Sequence, residues 1–93
     1  MFGQMKNLME MKRQADMIKR ELEKVTTESE EVKGIKIVIN GVQSVQSMEI
    51  DPSHLNEHNK GQFERDLCRS VNAAIKKSQA VAARKMAGSL PGM

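Results

Sequence analysis

This chain of 93 residues has one cysteine, two prolines, two phenylalanines, no tryptophan and no tyrosine. Each scarcity excludes something. With Cys68 alone no intramolecular disulfide framework exists, which points to a reducing compartment, and a lone small thiol on a helix is expected to be buried. No stretch reaches the run of about 18 apolar residues that a membrane span needs, and the Met1–Asn7 segment lacks the apolar core of a signal peptide, so a cytosolic protein is expected. Phe2 and Phe63 cannot build the stacking platform with which proteins hold single strands or RNA loops. There is no Gly-rich phosphate loop, no nucleophile elbow and no cysteine cluster for metal, and a chain this small offers no clear cleft to tune a catalytic pair. No enzyme activity, cofactor or small-molecule substrate is expected.

One motif invites an enzymatic reading and fails it. His54-Leu55-Asn56-Glu57-His58 matches the inverted zinc-protease signature H-x-x-E-H, which places two histidine ligands one helical turn apart. A third protein ligand is normally an acid further along the chain, and no acid follows Asp66. The segment also lies between Pro52 and Gly61, so a solvated connector is expected.

What the chain does have is a heptad stripe. Leu8, Met11, Ala15, Ile18, Leu22 and Val25 alternate spacings of three and four, which predicts one long amphipathic helix from about residue 3 to 25. At 1.5 Å per residue it is about 35 Å long, whereas a compact domain of this size has a radius of gyration of about 13 Å. The helix therefore outruns its own domain, and a second copy of the chain is the simplest cover for the exposed stripe. A domain of this size buries less than about 70% of its unfolded surface, so a homodimer also enlarges a modest core rich in Met, Ile, Val and Leu.

Further along, Val25-Thr26-Thr27-Glu28-Ser29 turns β-branched and hydroxylated, predicting an edge strand. Ile35, Ile37 and Ile39 alternate on one face of a second strand, and Asn40-Gly41 predicts a two-residue hairpin turn with positive φ angles. A return strand from about Ser44 to Ile50 puts Met48 and Ile50 on one face and ends at Pro52, with Asp51 placed to cap a following turn. A second long helix is expected from about Lys60 to Ala87, with Phe63, Leu67, Val71, Ala74, Ser78, Val81 and Ala82 on its apolar face and Gly88 and Pro91 as stops. The whole is one domain over residues 1–88 with a short flexible tail over 89–93.

Charge is segregated along the chain. Residues 1–25 carry a net +2, residues 26–66 a net −4 and residues 67–93 a net +5 without any acid. In heptad terms Lys12 and Lys19 flank the apolar stripe, while Lys6, Arg13 and Arg20 take an outer position; on the second helix Arg65, Arg69 and Lys76 lie roughly opposite the apolar face with Lys77 and Arg84 on its flank, and Lys76, Lys77, Arg84 and Lys85 are the candidate contacts there. A merely solvated face usually mixes both signs, so an acid-free quarter points to a polyanion, and duplex DNA is favoured by the lack of stacking aromatics. Contacts are expected mainly to phosphates, with weak sequence preference from polar side chains such as Gln4, Asn7 or Gln14. The competing reading is a helical protein-interaction module whose Met-rich helices hold a partner and whose charges only confer solubility.

Met1-Phe2-Gly3, Asn7-Leu8-Met9, Ile39-Asn40-Gly41, Glu49-Ile50-Asp51-Pro52-Ser53, Asn72-Ala73-Ala74 before Lys76-Lys77, and Lys85-Met86-Ala87 before a Leu-Pro-Gly tail occur in that order over nearly the full chain. In this the sequence resembles the YbaB/EbfC family of bacterial nucleoid-associated proteins. The resemblance implies an α+β fold, an α-β-β-β-α protomer with a small antiparallel sheet and two long helices, intertwined as a homodimer with projecting helical arms. It further implies duplex DNA binding without a cofactor, and a role in nucleoid organisation or gene regulation. The chain departs from the family's Gly-rich turn between the first two strands, having Glu30-Glu31-Val32-Lys33-Gly34 there, which leaves the first strand's length and register open.

Overall fold

The computed structural model describes residues 2–89, and side chains from Lys6 to Gly88. Helix α1 spans Phe2–Lys24, strands β1, β2 and β3 span Thr26–Val32, Ile35–Asn40 and Val45–Ile50, two single 3-10 turns occupy Pro52–His54 and Glu57–Asn59, and helix α2 spans Lys60–Ser89. The α-β-β-β-α order expected from the resemblance is the observed one, with an antiparallel sheet in the order β1-β2-β3. Helix α2 runs through Gly88, and residues 90–93 of the expected tail lie outside the described residues.

The core follows from the isoleucine alternation. Ile35, Ile37 and Ile39 are wholly buried on the face of β2 that meets α2, around Ala74 and ringed by Val32, Phe63, Leu67, Val71 and Ile75. At about 1.5–3 kcal/mol for each large aliphatic side chain removed from water, the three isoleucines contribute on the order of 5–9 kcal/mol. Small residues at Ser70, Ala74, Ser78 and Ala82, all buried, let α2 lie close across β1 and β2. Val45, Met48 and Ile50 stand opposite Ile39, Ile37 and Ile35 and so share their face, but α2 does not reach over them, and Val45 and Met48 are exposed.

Strand β1 carries few apolar residues and is held as an edge strand by pairing with β2 and by Thr27 and Ser29, whose side chains are buried. Glu30 and Glu31 together oppose only Lys36, because Ser29 pairs with Ile37 and Val32 with Ile35, so β1 bulges there. The hairpin that follows is the two-residue loop Lys33-Gly34, with Gly34 at φ 91° and its N–H donating to Glu30 Oε2.

The expected two-residue turn at Asn40-Gly41 is a correction. Neither residue takes a positive φ; Gln43 does, at 60°, and the loop is Gly41-Val42-Gln43, closed by Gln43 N–H to Asn40 O and by Asn40 N–H to Ser44 O. This is the three-residue hairpin with a left-handed third residue. Its direction is set by Asn40, whose Oδ1 accepts from both Val42 N–H and Ser44 N–H. Gly41 is needed for a different reason: its N–H reaches Leu22 O at 2.8 Å, and a Cβ there would lie 2.7 Å from that same oxygen. Asn40 Nδ2 also donates to Glu23 O. The corner between β2 and β3 thus satisfies carbonyls at the C-terminus of α1 that no helical N–H can reach.

From that joint α1 runs outward. The molecule measures 65 × 23 × 17 Å with a radius of gyration of 18.4 Å, well above the value of about 13 Å for a compact chain near this length. Leu22 is buried at the joint and Ile18 is half-buried, but Ala15, Met11 and Leu8 are exposed, the last two at 65% each. Cys68 is a second correction, being exposed rather than buried, because it sits one position round the helix from Leu67 and off the face that meets the sheet. Among the described residues no helix is long and apolar enough to cross a membrane.

Candidate nucleic-acid interface

The nine cations expected to contact DNA fall into two groups. Lys6, Lys12, Arg13, Lys19 and Arg20 all project from α1, and all are exposed. Helix geometry places Lys12 and Lys19 beside the apolar stripe and Lys6, Arg13 and Arg20 on the far side of it. The ion pairs among the described residues are Lys36–Glu28 at 3.0 Å, Lys60–Glu64 at 3.5 Å and Arg69–Glu31 at 3.3 Å, so none engages a cation of α1.

The α2 group is distributed differently. Lys76 is exposed and borders a shallow cleft of about 460 Å³ with Glu31, Arg69, Asn72 and Ala73. Lys77 reaches across to β1, where its Nζ donates to Glu28 O at 2.7 Å. Arg84 Nε donates to Ala80 O on its own helix at 3.4 Å, and Lys85 is exposed one residue on. The structure therefore brings the five α1 cations together along one arm, and separates Lys76 and Lys77 beside β1 from Arg84 and Lys85 near the end of α2.

The acids of the middle segment gather elsewhere. Glu30, Glu49 and Asp51 line an open depression with Lys36, Gly34 and Ile50 along the sheet. The Glu28 carboxylate, by hydrogen bond and by charge, and the charge of Glu49 push the Lys36 ammonium above its usual range. Asp51 is held below the ordinary carboxylate range by hydrogen bonds from Ser53, whose N–H it accepts at 2.9 Å as cap of the first 3-10 turn. This confirms the capping role expected for Asp51 before Pro52. The middle segment's carboxylates thus lie along the sheet around Lys36, whereas the cations of α1, interspersed with Glu10, Asp16, Glu21 and Glu23, make no ion pair among the described residues.

The H-x-x-E-H segment is not one helix. His54 closes the first 3-10 turn and His58 sits in the second, with Leu55 and Asn56 between them in non-helical conformation. Among the described residues no three His, Cys, Asp or Glu side chains are grouped so as to hold a metal ion. His58 is exposed as expected, whereas His54 is half-buried, its ring 6.2 Å from that of Phe63. Its Nε2 lies 2.8 Å from Lys33 O, and since a carbonyl can only accept, Nε2 carries the proton. His54 is therefore a fastener between the first hairpin and the start of α2. Sequence reasoning missed this contact, as it missed the Arg69–Glu31 pair, since partners 21 and 38 residues apart leave no local pattern.

A family model described as the YbaB/EbfC DNA-binding family matches residues 1–93. Among solved structures, the crystal structure of an uncharacterized protein from Helicobacter pylori is similar with a TM-score of 0.76, covering 99% of this chain and 98% of that one at 19% identity, a likeness of fold. No curated protein matches the chain.

Proposed function

Since the chain belongs to the YbaB/EbfC DNA-binding family, we propose that it acts as a homodimer that grips double-stranded DNA mainly through phosphates, with weak sequence preference, in organising the nucleoid or regulating genes. The observation that carries this reading is the two-sidedness of α1. One side presents Leu8 and Met11, each 65% exposed, and an apolar stripe projecting from the body needs a cover. A second copy supplies it with one surface used twice. The other sides present Lys6, Lys12, Arg13, Lys19 and Arg20 without ion pairs among the described residues, and in a dimer each counts twice. Lys76, Lys77, Arg84 and Lys85 extend the positive surface on α2. No step of this activity needs a cofactor, a small-molecule substrate or a catalytic group.

Fluorescence anisotropy with an arbitrary duplex across a salt series tests the reading. If about six phosphates are neutralised, log affinity falls against log salt with a slope of about −5. Replacing Arg13 and Lys19 together by Ala weakens binding to all duplexes alike and flattens the slope by about 2 for each protomer engaged. Loss of binding to one sequence alone would assign these residues to base readout instead. Absence of binding at low salt would favour a protein-interaction module, and a monomer in sedimentation at micromolar concentration would remove the dimer.

A further inference from the structure

Two large apolar side chains on α1 remain unused by that reading. Met9 and Met17 are 66% and 57% exposed, yet neither belongs to the stripe. At 100° per residue they lie on the side of the helix away from Leu8, Met11, Ala15, Ile18 and Leu22, so a second copy seated on the stripe leaves them uncovered. They form one row with Arg13, which stands four residues from each. Lys6 and Arg20, seven residues to either side of Arg13, complete a sector about 80° wide that between residues 6 and 20 holds only cations and methionines, bordered by Glu10 and Asp16.

A surface of cations with apolar tips set between them matches one feature of duplex DNA. The major groove is about 12 Å wide and admits a helix about 10–12 Å across, its rims are phosphates, and the thymine C5-methyl is the apolar group on its floor. We infer that Met9 and Met17 contact thymine methyl groups while Lys6, Arg13 and Arg20 hold the flanking phosphates, which gives the protein a preference for A·T-rich duplex. The charge complementarity of this sector selects nucleic acid over a protein partner. Met has a long, flexible side chain that adapts to varied surfaces, so the preference is for thymine content rather than for a fixed site. The inference rests on the DNA-binding reading of the same helix.

The test isolates the methyl group. Anisotropy titrations compare an alternating A·T duplex with the same duplex carrying uracil in place of thymine, for the full chain and for a Met9→Ala/Met17→Ala variant. The expected result is a loss of about fourfold for each methyl contacted on going to uracil, the factor given by one buried methyl-sized group. The double variant binds both duplexes alike with an unchanged salt slope. Equal binding of both duplexes by the unmodified protein overturns the inference and leaves phosphate binding standing. A difference that persists in the double variant overturns it too, and binding of neither duplex overturns the DNA reading along with it. Impaired capture of a protein partner by the variant, with no thymine effect, would assign the methionines to that partner.

Discussion

Adding one methyl group at residue 41 should cost this protein more than its size suggests. A Cβ built on Gly41 lies 2.7 Å from Leu22 O, 3.1 Å from Leu22 Cα and 3.0 Å from Leu22 Cβ. Two of those atoms are backbone in the last turn of α1, so relief requires moving the hairpin or the helix by several tenths of an ångström. Forcing an extra methyl into such a contact costs about 1–3 kcal/mol, and the movement also stretches the 2.8 Å hydrogen bond from Gly41 N–H to Leu22 O, worth about 1 kcal/mol. Gly41→Ala should therefore destabilise by about 2–4 kcal/mol, a fall in Tm on the order of 10–20 °C for a chain of this length. Gly88 supplies the control. It lies within α2 with nothing within 4 Å of its added Cβ, so Gly88→Ala should stabilise by about 0.5–1 kcal/mol through helix propensity. Both are read by thermal circular dichroism at one protein concentration, because the proposed self-association would make Tm concentration dependent. A Gly41→Ala protein melting within about 2 °C of the parent, at a sensitivity of about 4–8 °C per kcal/mol, would refute the close-approach account, as would a Gly88→Ala protein shifted in the same direction.

Two buried serines on α2 should respond unequally to alanine. Ser78 Oγ donates to Asn40 O across 2.6 Å and accepts from Gln43 Nε2, so Ser78→Ala loosens the same corner and costs about 1–2 kcal/mol in urea titration. Ser70 Oγ only bonds back to Asp66 O on its own helix, and its replacement by Ala, a better helix former, should shift stability by less than about 0.5 kcal/mol. Acid stability should depend on Asp51. Its carboxylate is depressed in the fold, so its contribution is full above the ordinary value of 3.8 and fades as the pH falls below it. Asp51→Asn should flatten the acid limb of stability in that range while leaving its shape near neutrality unchanged, as followed by urea midpoints at a series of pH values.

How far the residues alone reveal the fold depends on how local the cause is. The two long helices and the isoleucine strand are legible because periods of 3.6 and 2 repeat within a few turns or pleats. Asn40-Gly41 marks a turn correctly but for the wrong cause, since the need for glycine arises from Leu22, 19 residues earlier. The true positive-φ glycine, Gly34, follows Val32-Lys33 and carries no Asn or Asp signal before it. The Glu30-Glu31 bulge cannot be seen in β1 itself, because register is a relation to Ile35 and Ile37 on another strand. In the candidate interface, the exposure of the α1 cations is readable from the heptad, whereas Lys77 reaching Glu28 O is not. Met9 and Met17 read in the sequence only as members of a Met-rich helix, and the structure adds their exposure on the side opposite the stripe.

The way α1 is joined to the body has a mechanical consequence. Among the described residues the hydrogen bonds that tie it to the sheet reach only Leu22 and Glu23, in its final turn, and about 30 Å of helix extends beyond them at 1.5 Å per residue. It is built as a cantilever: a tilt of about 10° at the root moves the tip by about 5 Å, close to half the width of a major groove. In the DNA-binding role proposed above, such a tilt at the root is the movement by which a stiff rod would follow a duplex whose groove narrows or widens from step to step, without any helical hydrogen bond having to break.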